Sequence, residues 1–136
     1  MPLFAYGTLM FAPVIRAVIG RVPESCPAAI HGYRRLEVLG ETFPGLVRED
    51  GAGEVKGILY SKISEPEWHR LTLFEDDFYE LEVVSVVSPG GETPALAFVV
   101  PPSRRSILSE KPWDADFFRE KDLARFSPNT LPSSSD

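Results

Sequence analysis

One cysteine, Cys26, and two histidines, His31 and His69, are all that the 136-residue chain holds of those two types. A lone cysteine makes no internal disulfide, and Cys26, between Ser25 and Pro27, has no activating neighbour in sequence to make it a nucleophile. The histidines stand far apart and form no His-x-x-x-His pair, so a metal cage is poorly supplied. Glu75, Asp76, Asp77 and Glu80 do not fit the spacing of a calcium loop and lack its turn glycine. No metal and no cofactor is expected. Basic residues are short as well: 14 Lys+Arg against 20 Asp+Glu give a formal charge of −6. Nucleic-acid backbones and anionic membrane surfaces both require a basic footprint, which excludes them as main partners. Arg34-Arg35 and Arg104-Arg105 are the only adjacent basic pairs. No run approaches the ~20 apolar residues of a membrane span. The opening Met-Pro-Leu-Phe-Ala-Tyr-Gly has no basic n-region, so no signal peptide is expected and the cytoplasm is the expected location. Gly-x-Gly-x-x-Gly, Walker and Gly-x-Ser-x-Gly patterns are missing, which removes the usual nucleotide and serine-nucleophile signatures.

What is present suits one globular domain. Hydrophobic residues make up 43% and charged residues 25%, enough apolar material for a single core. Residues 1–126 are read as that domain and the polar, Ser/Pro-rich residues 127–136 as a flexible tail. Leu3-Phe4-Ala5-Tyr6 reads as a short buried strand stopping at Gly7. Residues 10–19 read as a helix with Pro13 in its first turn and Gly20 as its stop. Strand character runs over 28–39, interrupted at His31-Gly32, where the glycine marks a bulge. Residues 45–48 and 54–60 flank an Asp50-Gly51 step and are expected to pair as a hairpin. Ser64 and Glu67 have capping-box spacing, with Pro66 tolerable in the first turn. Residues 79–87 and 94–100 form a second hairpin around Pro89-Gly90-Gly91, and Asp114 caps a last helix running toward Phe126. Strands dominate without a regular βαβα rhythm, which gives an α+β domain with a small mixed β-barrel and flanking helices.

Two places can carry chemistry. Tyr6-Gly7-Thr8-Leu9 lies where a strand ends and a helix approaches. Successive N–H groups in such a turn make a concave site suited to a carboxylate; the alternative is a plain structural turn. The second is Glu75. If the helix from Ser64 continues, Glu75 shares a face with Trp68 and Leu71 at i, i+3 and i+7. A carboxyl there is either exposed at a frayed end or buried with a raised pKa, in the range useful to a general acid/base.

These residues resemble the γ-glutamylcyclotransferase-like family, particularly its avirulence-induced and γ-glutamylamine cyclotransferase branches. Phe4-Ala5-Tyr6-Gly7-Thr8-Leu9 is similar to the family's N-terminal Tyr-Gly-Thr-Leu signature, and Phe43-Pro44-Gly45-Leu46-Val47 to its Tyr/Phe-Pro-Gly-Leu segment. Leu71-Thr72-Leu73-Phe74-Glu75 followed by Phe78-Tyr79 resembles Leu-Asp-x-Phe/Tyr-Glu-Gly-x-x-Tyr, and Trp113 with Phe117 resembles the C-terminal Trp-x-x-x-Phe. Three positions depart from the pattern: Thr72 for its Asp, Asp76 for its Gly, and Leu81 for an Arg. The resemblance implies a small mixed barrel with a cavity that cyclises a small-molecule γ-glutamyl substrate to 5-oxoproline, releasing an amine or amino acid. It implies Glu75 as general acid/base, the main chain of Gly7, Thr8 and Leu9 as the holder of the α-carboxylate, and Tyr6, Gly45 and Tyr79 as further substrate-binding residues. Two other readings stay open: a non-catalytic ligand-binding module of the same fold, and an interaction protein that uses the acidic 75–80 loop.

Overall fold

The computed structural model describes residues 1–125; Phe126 and the expected tail lie outside them. Three-residue strand β1 (Leu3–Ala5) is apolar throughout because both of its faces are covered. Successive strand side chains point to opposite sides. Phe4 joins Ile30, Leu59, Val84, Val86 and Ala97 inside a barrel, and Leu3 and Ala5 pack outward against Val14, Ile15, Val18 and Ile19 of helix α1 (Ala12–Ile19). Pro13 occupies the first turn of α1, and Gly20 ends it in a left-handed conformation with φ 89°, as the composition of that segment demands.

The barrel is closed, in the order β1, β5 (Glu54–Tyr60), β2 (Ser25–His31), β6 (Glu80–Ser88), β7 (Gly91–Val99). All pairs are antiparallel except β1 with β7, where Leu3 meets Leu96 in parallel. A second sheet contains β4 (Pro44–Arg48), β3 (Tyr33–Val38) and β8 (Leu108–Pro112) in that order. Gly32, at φ 82°, is the point where the chain passes from barrel to second sheet. The chain re-enters at the same place, where the Glu49 N–H donates to the Gly32 carbonyl at 2.9 Å.

This connection corrects the expected hairpin across Asp50-Gly51. The local turn forms, with the Ala52 N–H donating to Glu49 O at 3.0 Å, but it joins two sheets. β4 pairs with β3, Leu36 opposite Gly45, while β5 pairs with β1 and β2. The hairpin apex is instead at residues 39–43. The second expected hairpin forms as read, β6 with β7 from Glu80–Val99 to Ser88–Gly91.

β5 approaches β1 closely at Gly57. A Cβ there would stand 2.3 Å from the Ala5 carbonyl oxygen and 2.8 Å from the Phe4 ring, and a backbone oxygen has nowhere to retreat. Gly57→Ala is expected to cost about 3 kcal/mol of stability or more, read as a lower denaturant midpoint; an unchanged midpoint would show that the barrel can open at this seam.

Helix α2 (Glu65–Phe74) begins with a full capping box. The Ser64 hydroxyl accepts from the Glu67 N–H at 3.3 Å, and the Glu67 carboxylate accepts from the Ser64 N–H at 2.9 Å. Arg21, just beyond α1, grips the same carboxylate with two hydrogen bonds of 2.6 and 2.9 Å, so one acid starts α2 and ties it to α1. The Glu67 pKa is held down to about 2, chiefly by the Arg21 hydrogen bond. α2 stops at Phe74, one residue earlier than the face containing Trp68, Leu71 and Glu75 requires. Glu75 is the residue after the helix, in an extended conformation (φ −76°, ψ 148°), its N–H still bonded to Leu71 O at 3.1 Å.

Asp114 caps the short helix α3 (Ala115–Phe117) by accepting from the Asp116 and Phe117 N–H groups. Beyond it Phe118 inserts between Phe11 and Trp113, with ring centroids 5.3 and 5.6 Å away, which closes the C-terminal segment over the start of α1.

Candidate active site

A cavity of about 270 Å³ opens where β1 leaves the barrel. Residues 3–9 line its floor. Phe43 and Pro44 form one side, Phe74, Glu75 and Asp76 the end of α2, and Tyr79 and Phe98 the back.

The turn at Gly7 is shaped by crowding. A Cβ on Gly7 would meet the Pro44 ring at 2.8 Å, so only glycine lets β1 turn beneath β4. The turn then tightens, the Met10 N–H donating to Gly7 O at 3.0 Å and the Phe11 N–H to Thr8 O at 3.2 Å. These bonds use carbonyls of the turn and leave the N–H groups of Gly7, Thr8 and Leu9 without an acceptor among the described residues. Buried N–H groups rarely stay unpaired, so three together on a cavity wall suit an anionic ligand.

Tyr6 and Tyr79 stand beside this turn with their protons committed. The Tyr6 hydroxyl donates to Phe98 O at 2.6 Å and the Tyr79 hydroxyl to Pro44 O at 2.5 Å. Tyr79 also packs on Phe78 and edge-on to Phe98. Both phenols are pushed well above their ordinary pKa, first by burial and then by neighbouring charge, in which Glu75 takes part. Both line the cavity as neutral phenols, and the two hydroxyls also interact with each other.

Glu75 is the acid that unites the site. Its extended backbone directs the side chain into the cavity, where part of its surface stays open although protein surrounds the carboxyl group. Burial pushes its pKa up to about 8, and the charge of Asp76 adds to the rise. At neutral pH such a group holds a proton and releases it readily, the property needed of a residue that both takes and returns one.

Of the residues singled out in the sequence, Tyr6, Gly7, Thr8, Leu9, Glu75 and Tyr79 line this one cavity. Gly45 does not. A Cβ there would lie 2.7 Å from Val100 and 2.8 Å from Leu108, so the residue lets β4 pack on its own sheet, and its neighbours Phe43 and Pro44 supply the wall. The sequence reading missed Phe98 and Glu41, which also line the cavity; Phe98 reaches it on β7, which pairs with β6 and β1, and Glu41 from the turn between β3 and β4. His31 and His69 lie outside the cavity lining, and the described residues contain no cluster of three or more His, Cys, Asp or Glu able to hold a metal.

The structure thus defines a small closed α+β barrel with a cavity lined both by Glu75, whose carboxyl burial raises in pKa, and by the Gly7 turn, whose main-chain N–H groups have no acceptor among the described residues. A family model described as gamma-glutamyl cyclotransferase, AIG2-like, matches residues 3–115, and the chain belongs to that family. AIG2-like protein C of Arabidopsis thaliana is 33% identical over 85 residues, covering 62% of this chain and 49% of its own length. Protein AIG2 C of the same plant is 31% identical over 85 residues, covering 62% and 51%. The chain therefore spans about half the length of these curated relatives. Among solved structures, an Arabidopsis thaliana protein studied in solution superposes with a TM-score of 0.69 at 24% identity, covering 92% of this chain and 76% of its own. A yeast gamma-glutamyl cyclotransferase specific to glutathione gives a TM-score of 0.65 at 12% identity, covering 97% and 88%. At these identities the two structures show a common fold. No helix among the described residues is long and apolar enough to cross a membrane.

Proposed function

We propose that the protein cyclises the γ-glutamyl group of a small-molecule substrate to 5-oxoproline and releases the attached amine or amino acid. The observation that carries this reading is Glu75, an enclosed carboxyl with its pKa near 8, in the same cavity as three unpaired N–H groups.

The substrate's α-carboxylate accepts from the N–H groups of Gly7, Thr8 and Leu9, which fixes one end of the glutamyl chain. Its α-ammonium lies toward Glu75 and gives up a proton to the carboxylate. The freed amine attacks the substrate's own δ-carbonyl carbon, forming the new C–N bond of a five-membered ring. As the tetrahedral intermediate collapses, the original C–N bond breaks and protonated Glu75 gives its proton to the departing nitrogen. Glu75, ionised again, takes the remaining extra proton from the ring nitrogen and passes it to the released amine, which leaves as an ammonium. Atoms balance without water, metal or an enzyme nucleophile. Holding the two ends of one molecule together can supply a large part of the acceleration, because the reaction is intramolecular and its entropy is lost on binding. Tyr6 and Tyr79, with their hydroxyl protons fixed on carbonyls, can accept from the ammonium and keep it from turning away.

The test is to incubate the purified protein with a panel of γ-glutamyl amino acids and γ-glutamyl amines and to follow 5-oxoproline by mass spectrometry. Product from one subset is expected and names the leaving group. A folded protein that binds 5-oxoproline yet forms none across the panel would instead be a binding module of the same fold.

A further inference from the structure

The cavity proposed to take an anion is lined by acids. Glu41, Glu75 and Asp76 line it, and none of its lining residues is Lys, Arg or His. An α-carboxylate held there by neutral N–H groups alone would meet negative charge with no cation to offset it.

The missing charge stands one peptide unit behind the wall. Arg35, on β3, extends to the barrel, where its Nη1 donates to the carbonyl oxygens of Tyr6 at 3.0 Å and Lys56 at 3.2 Å. No peptide bond among the described residues is cis, and in a trans unit the carbonyl and the following N–H point to opposite sides. With the Tyr6 carbonyl turned to the guanidinium, the Gly7 N–H of the same peptide turns away from it, toward the cavity that Gly7 lines. Arg35 itself lines a separate cleft of about 230 Å³ with Trp113. The guanidinium carbon lies 5.3 Å over the Trp113 ring, and Trp113 is fixed in turn, its Nε1 donating to Thr42 O at 2.8 Å and its main-chain N–H to Arg35 O at 3.2 Å. Two main-chain acceptors and a stacked indole hold the arginine for this task, which a solvated surface arginine does not need.

We infer that Arg35 is a positioning residue for the substrate's α-carboxylate, fixing the Tyr6–Gly7 peptide with its N–H toward the cavity and placing one positive charge behind the anion site. The inference rests on the cyclotransferase reading above. A donor on the carbonyl polarises the peptide and strengthens its N–H as a donor, and in a low-dielectric wall the charge acts across the peptide with little screening.

The test compares 5-oxoproline with its carboxamide, 5-oxoprolinamide, which has the same ring without the negative charge. Their affinities are measured by calorimetry for wild type, Arg35→Met and Arg35→Gln, alongside kcat and KM for whichever panel substrate turns over. Wild type should prefer the acid. Arg35→Met should lose about tenfold of that preference and raise KM by a similar factor, with kcat within a few-fold because Glu75 is untouched. Equal weakening of both ligands, or a preference unchanged from wild type, overturns the inference. Arg35→Gln keeps an N–H for the Tyr6 carbonyl and deletes the charge, so it carries the same comparison if the methionine variant does not fold; full wild-type preference in it likewise overturns the inference. If wild type binds neither ligand and makes no 5-oxoproline, the cyclotransferase reading itself fails.

Discussion

Glu75→Gln should lower turnover by about a thousandfold while 5-oxoproline still binds within a few-fold of wild type. The amide has nearly the volume of the acid and keeps the cavity filled, but it neither takes the proton from the α-ammonium nor returns one to the leaving nitrogen. The loss should appear in kcat, with KM little changed, because the α-carboxylate is held elsewhere, by Gly7, Thr8 and Leu9. The wild-type rate should rise with pH along a limb centred near 8, the value to which burial raises this carboxyl, since only the ionised form accepts the substrate's proton. Measured kcat and product affinity on the purified variant decide the matter. Undiminished 5-oxoproline formation by Glu75→Gln would remove the residue from its proposed role.

The same substitution should make the protein more stable, and increasingly so as pH rises. The Glu75 pKa is about 8 in the fold against an ordinary 4.5. Below about 4.5 the carboxyl is protonated in folded and unfolded chains alike, and its burial as a neutral group is fully tolerated. Between 4.5 and 8 the unfolded chain ionises while the folded one holds its proton, so stability falls with rising pH, and above 8 the loss is complete. Each pKa unit corresponds to about 1.4 kcal/mol, which puts the full effect at a few kcal/mol. Glutamine carries no charge at any of these pH values and escapes the loss. Thermal melts should therefore place Glu75→Gln on the order of 5–10 °C above wild type at pH 8.5 and close to it near pH 4.5. An equal gap at both pH values would mean that the carboxyl is solvated in the folded protein. A residue that weakens the fold at working pH while completing a cavity is the exchange of stability for activity expected at a functional site.

Much of the local structure was legible because it is encoded in short spacings. Ser64 and Glu67 form both halves of the capping box at the spacing that geometry requires. Gly20 ends α1, Asp114 caps α3, and Pro89-Gly90-Gly91 turns β6 into β7. Each depends on residues within about four positions of one another, where backbone angles and hydrogen-bond reach leave few choices. The Gly7 turn and Glu75 were legible too, through their place in four motifs that occur in order along the chain.

The failures share the opposite origin. An apolar-turn-apolar pattern around Asp50-Gly51 specifies two strands and a bend, but it carries no information on which strand pairs with which. Only the closure of the barrel, with β5 taken by β1 and β2, assigned β4 to the second sheet. Helical periodicity placed Glu75 on the α2 face, whereas the chain breaks helix at Phe74 and aims the carboxyl by an extended residue. Gly45 looked like part of a cavity wall and proved to be the room that Val100 and Leu108 need. Arg35 was only half of an adjacent basic pair in the sequence until the fold set its guanidinium against the Tyr6 carbonyl. The sequence by itself determined the helix caps, the stop of α1 at Gly20, the mixed α+β character and the place of Glu75 in its motif, because these follow from short spacings along the chain. The tertiary structure alone decided strand partners, the direction of Glu75 and the charge behind the Gly7 turn, because burial, desolvation and long-range hydrogen bonds exist only once distant segments meet.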